Sequence, residues 1–279
     1  MTSYSTGRAK SGSSVRTEPS TAEVSEKIAL HFRALRLPFL AAQSAKRLHE
    51  IGGLKALQCL LELLNGEQDE RALRRNERFL RASNLPADKS MDTLVESKMP
   101  RRVIDVVREL ATGAFLEHGE NALFYGLPGR GKTHAAAALG RLLIAIGYSV
   151  LFTPTFRLVQ ELLAAKRDLT LPKALRKLDA FELIILDDIG YVQQSADEVE
   201  VLFTLLSERY ERRSVLVTSN LAFSEWDKIF KNPMTTAAAI DRFVHHCTIV
   251  DFNGKSVRAE DAKARQRAAK ESEIVLPDS

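Results

Sequence analysis

A glycine-rich octapeptide has the residue types and spacing that bind nucleotide phosphates. Gly126-Leu127-Pro128-Gly129-Arg130-Gly131-Lys132-Thr133 fits the P-loop pattern G-x-x-x-x-G-K-[ST]. Glycines let the backbone curl so that successive N–H groups point at phosphate oxygens. Lys132 would reach the β- and γ-phosphates, and the Thr133 hydroxyl would ligate Mg²⁺. The loop therefore predicts ATP and Mg²⁺ as cofactors, with a glycine-rich turn that binds no nucleotide as the alternative.

Two carboxylates and an amide follow apolar runs further along the chain. Asp187 and Asp188 come after FELIIL at 181–186, and Asn220 follows SVLVT at 214–218. Ligands of parallel α/β sheets sit at the carboxyl ends of the strands, so these side chains should face the P-loop. Asp187 would hold Mg²⁺, Asp188 would orient or deprotonate the attacking water, and Asn220 would hold that water. The alternatives are carboxylates that cap the next helix and an amide in an ordinary turn.

The elements that must position these residues alternate between strand and helix. Residues 122–125 predict a buried strand entering the loop, and 134–146 predict a helix leaving it. Further strands are predicted at 149–153, 181–186, 214–218 and 247–252, and further helices at 156–167, about 171–178 and 197–209. This order predicts an α/β fold, a doubly wound parallel sheet of five strands.

The rest of the chain divides by composition. Residues 1–24 are rich in Ser, Thr and Gly and predict a disordered tail. Apolar residues at helical spacing predict a small all-α domain of about three or four helices over 25–85. Residues 86–117 are interpreted as a linker followed by one connecting helix from Arg101 to about Glu117, 118–260 as the ATPase domain, and 261–279 as a basic tail.

Composition limits the classes of function. The chain has 279 residues, of which 45% are hydrophobic and 27% charged, which suits one or two domains with a core. The net charge of +4 is mild, but the isoelectric point of about 9.0 favours a polyanionic partner. Two cysteines are too few for a disulfide framework, so the cytoplasm is the expected compartment. No apolar run reaches about 18 residues, so no membrane span is expected.

Four separated motifs carry a family resemblance. They are G-K-T-H at 131–134, L-D-D-I-G-Y at 186–191, T-S-N-L-x-F-S-E-W at 218–226 and A-I-D-R-F-V-H-H at 239–246. In this order they resemble the IstB-like helper ATPases of bacterial insertion sequences, which are relatives of the DnaC-type helicase loaders within the AAA+ superfamily. The resemblance covers about residues 28–260 and implies an AAA+ core. It also implies ATP hydrolysis coupled to homo-oligomer assembly on double-stranded DNA, and a cognate transposase as partner. A DnaC-like replicative helicase loader is the alternative.

The resemblance also implies roles for single residues. Lys132 and Thr133 correspond to Walker A, Asp187 and Asp188 to Walker B, and Asn220 to sensor 1. Arg242 resembles the arginine finger, which would complete a composite ATP site in a neighbouring subunit, with an ion pair to Asp241 as the alternative. Arg258 resembles the sensor 2 arginine, although Val257 stands where the family usually has an aromatic residue. The predicted cofactor-binding residues are Gly126, Pro128, Gly129, Arg130, Gly131, Lys132, Thr133, His134 and Arg258.

Two basic helices are candidates for DNA contact. The candidate residues are Arg74, Arg75 and Arg78 in an arginine row at 71–81, and Lys173, Arg176 and Lys177 on the helix after the second strand. Arginine suits phosphate contacts because its fork is planar and permanently charged. The alternative for the arginine row is a solvated face that pairs with nearby acids. Binding through such side chains should be phosphate-directed and salt-dependent.

His245, His246 and Cys247 are adjacent and are potential metal ligands. Neighbouring residues on a strand face opposite sides, so three in a row make poor joint ligands. The sequence therefore predicts no metal site there.

Overall fold

Helices and strands alternate through most of the described chain. The computed structural model describes residues 19–94, 99–189, 195–221, 225–226, 243 and 245–253. The helices are α1 (Thr21–Ala34), α2 (Pro38–Ala82), α3 (Arg101–Leu110), α4 (Ala114–Glu117), α5 (Lys132–Ala145), α6 (Thr155–Arg167), α7 (Leu171–Leu178) and α8 (Ala196–Arg209). The strands are β1 (Asn121–Tyr125), β2 (Val150–Pro154), β3 (Leu183–Ile189), β4 (Ser214–Ser219) and β5 (Cys247–Asp251). Within these ranges, no helix combines the length and apolar composition that a membrane span requires.

The five strands form one parallel sheet in the order β2-β3-β4-β1-β5. Apolar side chains cover both faces, since one buried cluster includes residues of α3 and α5 and the other includes residues of α6 and α8. The run Leu183–Leu186 in β3 is fully buried, as expected of a central parallel strand. The predicted α/β fold with a five-stranded parallel sheet is confirmed.

The strand order explains how separated motifs meet. Strand β4 lies between β1 and β3. The P-loop follows β1, Asp187 and Asp188 lie near the end of β3, and Asn220 follows β4. Because parallel strands end at the same edge of the sheet, the three motifs converge there, with Asn220 in the middle.

The N-terminal compact unit extends to Leu73 and is helical. Its core consists of apolar residues of α1 and α2, namely Val24, Ile28, Phe32, Leu57 and Leu64. Ser20 and Glu23 form a capping box, so α1 begins at Thr21, inside the segment for which a disordered tail was predicted. Gly53 has φ 59° and ψ −151°, which divides α2 into two helical stretches. With α1 these give three helical stretches, within the three or four predicted.

The second compact unit begins at Arg74, inside α2 and before the boundary predicted at residue 85. Phe79 and Leu85 pack against the core cluster that contains α5 residues. The Nδ2 of Asn76 donates a hydrogen bond of 2.8 Å to the Ala145 carbonyl at the end of α5. Residues 74–85 therefore pack as part of the ATPase unit.

The segment between α2 and β1 also differs from the prediction. One connecting helix was predicted from Arg101 to about Glu117, but α3 ends at Leu110 and α4 begins at Ala114. Gly113 caps α4 in the left-handed region with φ 81°, and a Cβ there would lie 2.4 Å from the ring of Tyr148. Only glycine satisfies both conditions, so the break is specified at this residue.

Candidate nucleotide-binding site

The P-loop connects β1 to α5 and forms one wall of a cleft at the carboxyl edge of the sheet. Gly131 has φ 89°, and a Cβ on it would lie 2.3 Å from the Cε of Met99. Gly126 has φ 145° and passes close to Phe252. Side chains larger than hydrogen would therefore distort the loop at these positions. The cleft is lined by Lys89, Pro128, Gly129, Arg130, Gly131, Lys132, Thr133, His134, Asp188 and Asn220.

Lys132 is buried, with 6% of its surface exposed. Its Nζ donates to the carbonyl oxygens of Gly126 at 2.6 Å and Leu127 at 3.2 Å, and to the Oδ1 of Asn220 at 2.7 Å. All three acceptors are neutral. Phosphate oxygens accept stronger, charge-assisted hydrogen bonds from an ammonium. The arrangement therefore suits an exchange of these acceptors for the phosphates of a nucleotide.

The side chain of Asp187 forms hydrogen bonds with two hydroxyl groups. The Oγ1 of Thr218 donates to its Oδ1 at 2.7 Å, and the Thr133 hydroxyl also hydrogen-bonds to its carboxylate. Burial is the main cause that raises the pKa of Asp187, and the charge of Asp188 adds to the increase. The two hydroxyls and the charge of Lys132 act in the opposite direction. The Asp187 carboxylate and the Thr133 hydroxyl together supply oxygen ligands of the kind that Mg²⁺ prefers.

Asp188 has an unusual backbone conformation with φ 63°. It lies where the pairing of β3 with β4 changes register, between Leu186 and Ile189. Its backbone N–H donates to the Oγ1 of Thr218 at 2.8 Å, which holds the residue in the left-handed region. Its side chain is exposed and lines the cleft. Strained residues of this kind cluster at functional sites, because the strain aims a side chain.

Asn220 bridges a cation and an anion of the site. Its Oδ1 accepts from Lys132, and its Nδ2 donates to the Oδ1 of Asp188 at 3.1 Å. The amide therefore connects the Walker A lysine with the second Walker B aspartate. This bridging position agrees with the strand order, since Asn220 follows β4, which lies between β3 and β1.

Thr218 is the functional residue that sequence reasoning missed. In the sequence it stands out only as part of a motif, whereas in the structure its hydroxyl donates to the Asp187 carboxylate and accepts from the Asp188 N–H. It is 1% exposed. The available signal was a β-branched hydroxyl at the polar end of an apolar strand, which is too common to single out.

His134 lines the cleft, but its ring is directed at the segment that precedes β1. Its Nε2 lies 3.0 Å from the Ser90 carbonyl and 3.1 Å from the Oγ1 of Thr93. Because both contacts of Nε2 are made with this segment, the geometry indicates that His134 anchors the segment to α5. Its direct contact with nucleotide stays a prediction.

Arg141 of α5 also holds the segment before β1. Its Nε donates to the Lys89 carbonyl at 2.8 Å and its second guanidinium nitrogen, Nη2, donates to the Pro86 carbonyl at 2.6 Å. These bonds place Lys89 at the cleft, where it adds a cation that the sequence analysis did not include. Residues 86–94, predicted as a linker, therefore form part of the site wall.

Arg130 adds a further cation to the loop. Its Nε and Nη1 are buried and have no hydrogen-bond partner in the described part of the chain. Buried guanidinium nitrogens without a partner are costly, and an anion in the cleft would supply one. This observation agrees with the predicted contact of Arg130 with nucleotide, which stays a prediction.

Two predicted site residues, Arg242 and Arg258, lie outside the described residues. The DNA candidates Arg74, Arg75 and Arg78 are exposed on α2, and Lys173, Arg176 and Lys177 are exposed on α7. Within the arginine row, Arg71 pairs with Glu67 at 2.6 Å and Arg81 with Glu77 at 3.2 Å. Among described residues, the three α7 cations form no ion pair.

The strand order, the P-loop after β1 and the acidic pair on β3 define a P-loop ATPase of the AAA+ class. The fold is similar to that of DnaA from Aquifex aeolicus (TM-score 0.53, 18% identity, 67% of this chain and 57% of that one). It is also similar to that of DnaI (TM-score 0.52, 18% identity, 61% and 95%).

The sequence places the chain in a family of this class. The model of the IstB-like ATP binding proteins matches residues 31–266, so the chain belongs to this family. An insertion sequence ATP-binding protein of Sinorhizobium fredii is 44% identical over 216 residues, which are 77% of this chain and 72% of the relative. The ATP-binding protein of insertion sequence IS21 from Pseudomonas aeruginosa is 36% identical over 224 residues, 80% and 83% of the two chains. The chain is accordingly an ATP-binding AAA+ ATPase, as the resemblance implied.

Proposed function

We propose that this ATPase assembles as a homo-oligomer on double-stranded DNA in its ATP form and assists a cognate transposase in the cytoplasm. Two observations support the proposal. The chain belongs to a family whose relatives are insertion sequence ATP-binding proteins. Helix α7 exposes three cations that form no ion pair among the described residues, and this observation carries the DNA-binding part.

The contacts at the cleft support the proposed hydrolytic roles. Lys132 binds the β- and γ-phosphates in exchange for its neutral acceptors, and Arg130 and Lys89 add positive charge. Asp187 and Thr133 would hold Mg²⁺, which would neutralise charge on the phosphates when bound. Asp188, held by Thr218 and Asn220, orients the attacking water.

A neighbouring subunit completes the site in this proposal. Arg242 enters the adjacent cleft as an arginine finger and stabilises charge on the γ-phosphate. Its support is the resemblance of the A-I-D-R segment at 239–242 to that of the family. Oligomer assembly is then coupled to ATP, since each site needs residues from two chains.

The α7 cations share one helix face. Lys173, Arg176 and Lys177 are three and four residues apart, so their side chains project together. Leu175 and Leu178 pack against the core cluster, which fixes the cationic face toward solvent. Such a face contacts phosphates irrespective of base sequence. An oligomer presents many copies at once, which tightens binding without new contacts.

The test is a salt titration of duplex binding with and without a non-hydrolysable ATP analogue. Affinity should fall steeply with salt, tighten with the analogue and vary little with DNA sequence. Duplex binding that is indifferent to both salt and nucleotide would overturn the mechanism.

Two charge-reversal variants compare the candidate helices in the same titration. The salt slope is the slope of the logarithm of the binding constant against the logarithm of the salt concentration. Reversal of Lys173, Arg176 and Lys177 should lower its magnitude by roughly three for each subunit in contact with DNA, because each lost phosphate contact lowers it by about 0.9. Reversal of Arg74, Arg75 and Arg78 is the matched variant of equal charge change, and it should weaken binding less. If this second set weakened binding equally or more, α2 rather than α7 would be assigned as the main DNA-binding surface.

The fold does not separate this function from the helicase-loader alternative, because DnaA from Aquifex aeolicus and DnaI are each only 18% identical to this chain. The relatives by sequence are insertion sequence proteins, which favours the helper. The neighbouring open reading frame distinguishes the two functions. An integrase-type transposase beside this gene supports the helper, whereas a replication gene there supports the loader.

A further inference from the structure

Three potential metal ligands converge at the amino-terminal edge of the sheet. Ligand atoms of Glu211, His245 and His246 all lie within 4.8 Å of one another, and all three residues are exposed. The two imidazole rings meet edge to face, with centroids 4.3 Å apart. Side chains on a strand would point in alternating directions, but both histidines lie in a turn before β5 begins at Cys247. The strand alternation behind the expectation of poor joint ligands therefore does not apply to the two histidines.

The buried residue Asn121 fixes both parts of this cluster. Its backbone N–H donates to the His246 carbonyl at 2.7 Å, and its Nδ2 donates to the Phe243 carbonyl at 3.0 Å. Its Oδ1 accepts from the Val215 N–H at 2.9 Å, at the start of the strand that follows Glu211. Asn121, at the first position of β1, thus sets the turn and the loop at a defined separation through its backbone and its side chain.

Further contacts hold the two chain segments. Gly119 lies so close to the Glu211 backbone that a Cβ on it would be 2.9 Å from the Glu211 carbonyl carbon. The Tyr210 hydroxyl lies 3.4 Å from the Nδ1 of His245, which favours one orientation of that ring. Phe243 stacks on Trp226 with centroids 5.8 Å apart. The cluster therefore belongs to a well-supported frame, which is what a binding site requires.

We propose that Glu211, His245 and His246 bind a divalent transition-metal ion, for which Zn²⁺ is the best fit. Two imidazoles and one carboxylate are a donor set that Zn²⁺ takes readily, with the fourth position left to water or a partner group. Hard ions such as Mg²⁺ prefer oxygen ligands and do not match it. Cys247 stays outside the set, since its Sγ is not among the described ligand atoms that lie within 4.8 Å of one another.

This site is separate from the nucleotide cleft. It lies where β1, β4 and β5 begin, whereas the P-loop follows the end of β1, and five residues of strand span roughly 16 Å at about 3.3 Å per residue. An ion here would fasten the turn before β5 to the loop before β4. That turn follows Arg242 closely in sequence, so the ion would restrict the chain beside the proposed arginine finger.

The test uses the full chain after removal of bound metal with a chelator. Zn²⁺ is titrated by calorimetry, without nucleotide and with millimolar Mg²⁺ present to occupy oxygen-ligand sites. We expect one Zn²⁺ per chain in the wild type and in His49→Gln, an exposed histidine on α2 that serves as the control. Glu211→Gln and His246→Gln should each weaken binding by more than about 100-fold, since even outer-shell changes cost about 10–100-fold.

A second readout separates loss of a ligand from loss of folding. Co²⁺ replaces Zn²⁺, and its visible absorption bands should appear with the wild type and be absent in His246→Gln. Circular dichroism and binding of an ATP analogue should be unchanged, because both variants alter exposed side chains far from the cleft. The proposal would be overturned if folded Glu211→Gln and His246→Gln bound Zn²⁺ as tightly as the wild type. It would also be overturned if the wild type did not bind Zn²⁺ stoichiometrically.

Discussion

Replacement of Thr218 by valine tests the feature of the site that the sequence analysis missed. Valine has nearly the same shape, and the residue is 1% exposed, so the change removes little except the hydroxyl. Two hydrogen bonds are lost, the one to Asp187 at 2.7 Å and the one from the Asp188 N–H at 2.8 Å. A hydrogen bond to a charged group contributes about 1.5–3 kcal/mol, and an ordinary one about 1 kcal/mol.

The expected loss of activity follows from the first of these bonds. If the bond to Asp187 is needed in the transition state, its loss lowers kcat by roughly 10- to 150-fold, at about 1.4 kcal/mol per factor of ten. ATP affinity should change much less, because Lys132 and the P-loop backbone keep their contacts. The pKa of Asp187 should also rise further, since the Thr218 hydrogen bond lowers it. The acid limb of the pH–activity profile should therefore move to higher pH.

The assay is steady-state phosphate release from pH 5 to 8, combined with titration of a fluorescent ATP analogue. Thr153→Val is the matched control, because Thr153 is buried near the same edge of the sheet. Within the described part of the chain, its hydroxyl donates only to the Pro154 carbonyl, at 3.3 Å. Thermal melts of both variants show whether stability accounts for the difference. Wild-type kcat together with an unshifted acid limb in Thr218→Val would refute the reasoning.

Three further predictions concern the same cleft. Lys132→Ala should weaken binding of a fluorescent ATP analogue, whereas Asp188→Asn should keep ATP bound and uncleaved; equal loss of affinity would contradict these roles. Arg242→Ala should bind ATP without hydrolysing it, and mixing it with Asp188→Asn should restore some phosphate release. No restoration in demonstrably mixed oligomers would favour the ion pair within one chain. Because the pKa of Asp187 is raised above 3.8, its ionised form is lost at higher pH than in an exposed aspartate. The Mg²⁺ concentration needed for half-maximal activity should therefore increase as pH falls, and a requirement that does not change with pH would argue against Asp187 as the ligand.

The sequence predicted the ATPase core well, because its signals are local. Apolar runs such as Leu183–Leu186 are typical of a central parallel strand, which is buried on both faces. The P-loop pattern fixes a strand before it and a helix after it. Once the fold class is known, strand ends converge, so Asp187, Asp188 and Asn220 could be expected at one edge.

The remaining features depend on contacts between distant residues. The sequence does not show that Thr218 lies beside the Walker B pair, because the register of β3 and β4 changes at Asp188. The anchoring of residues 86–94 by His134 and Arg141 is equally hidden, since it uses backbone carbonyls that any sequence provides. The alternation rule failed at His245 and His246 because the chain turns before β5 begins.

Strand β2 lies at one edge of the sheet, and an uncovered edge can pair with another molecule. The chain just after α2 blocks part of this edge, since the Ser83 carbonyl accepts from the Phe152 N–H at 2.7 Å. A truncated protein that begins at Pro86, where the sequence suggested a linker, would lose this bond and the packing of Phe79 and Leu85. Its exposed strand edge would promote aggregation. The shortest well-behaved ATPase fragment should therefore begin at or before Arg74, within α2.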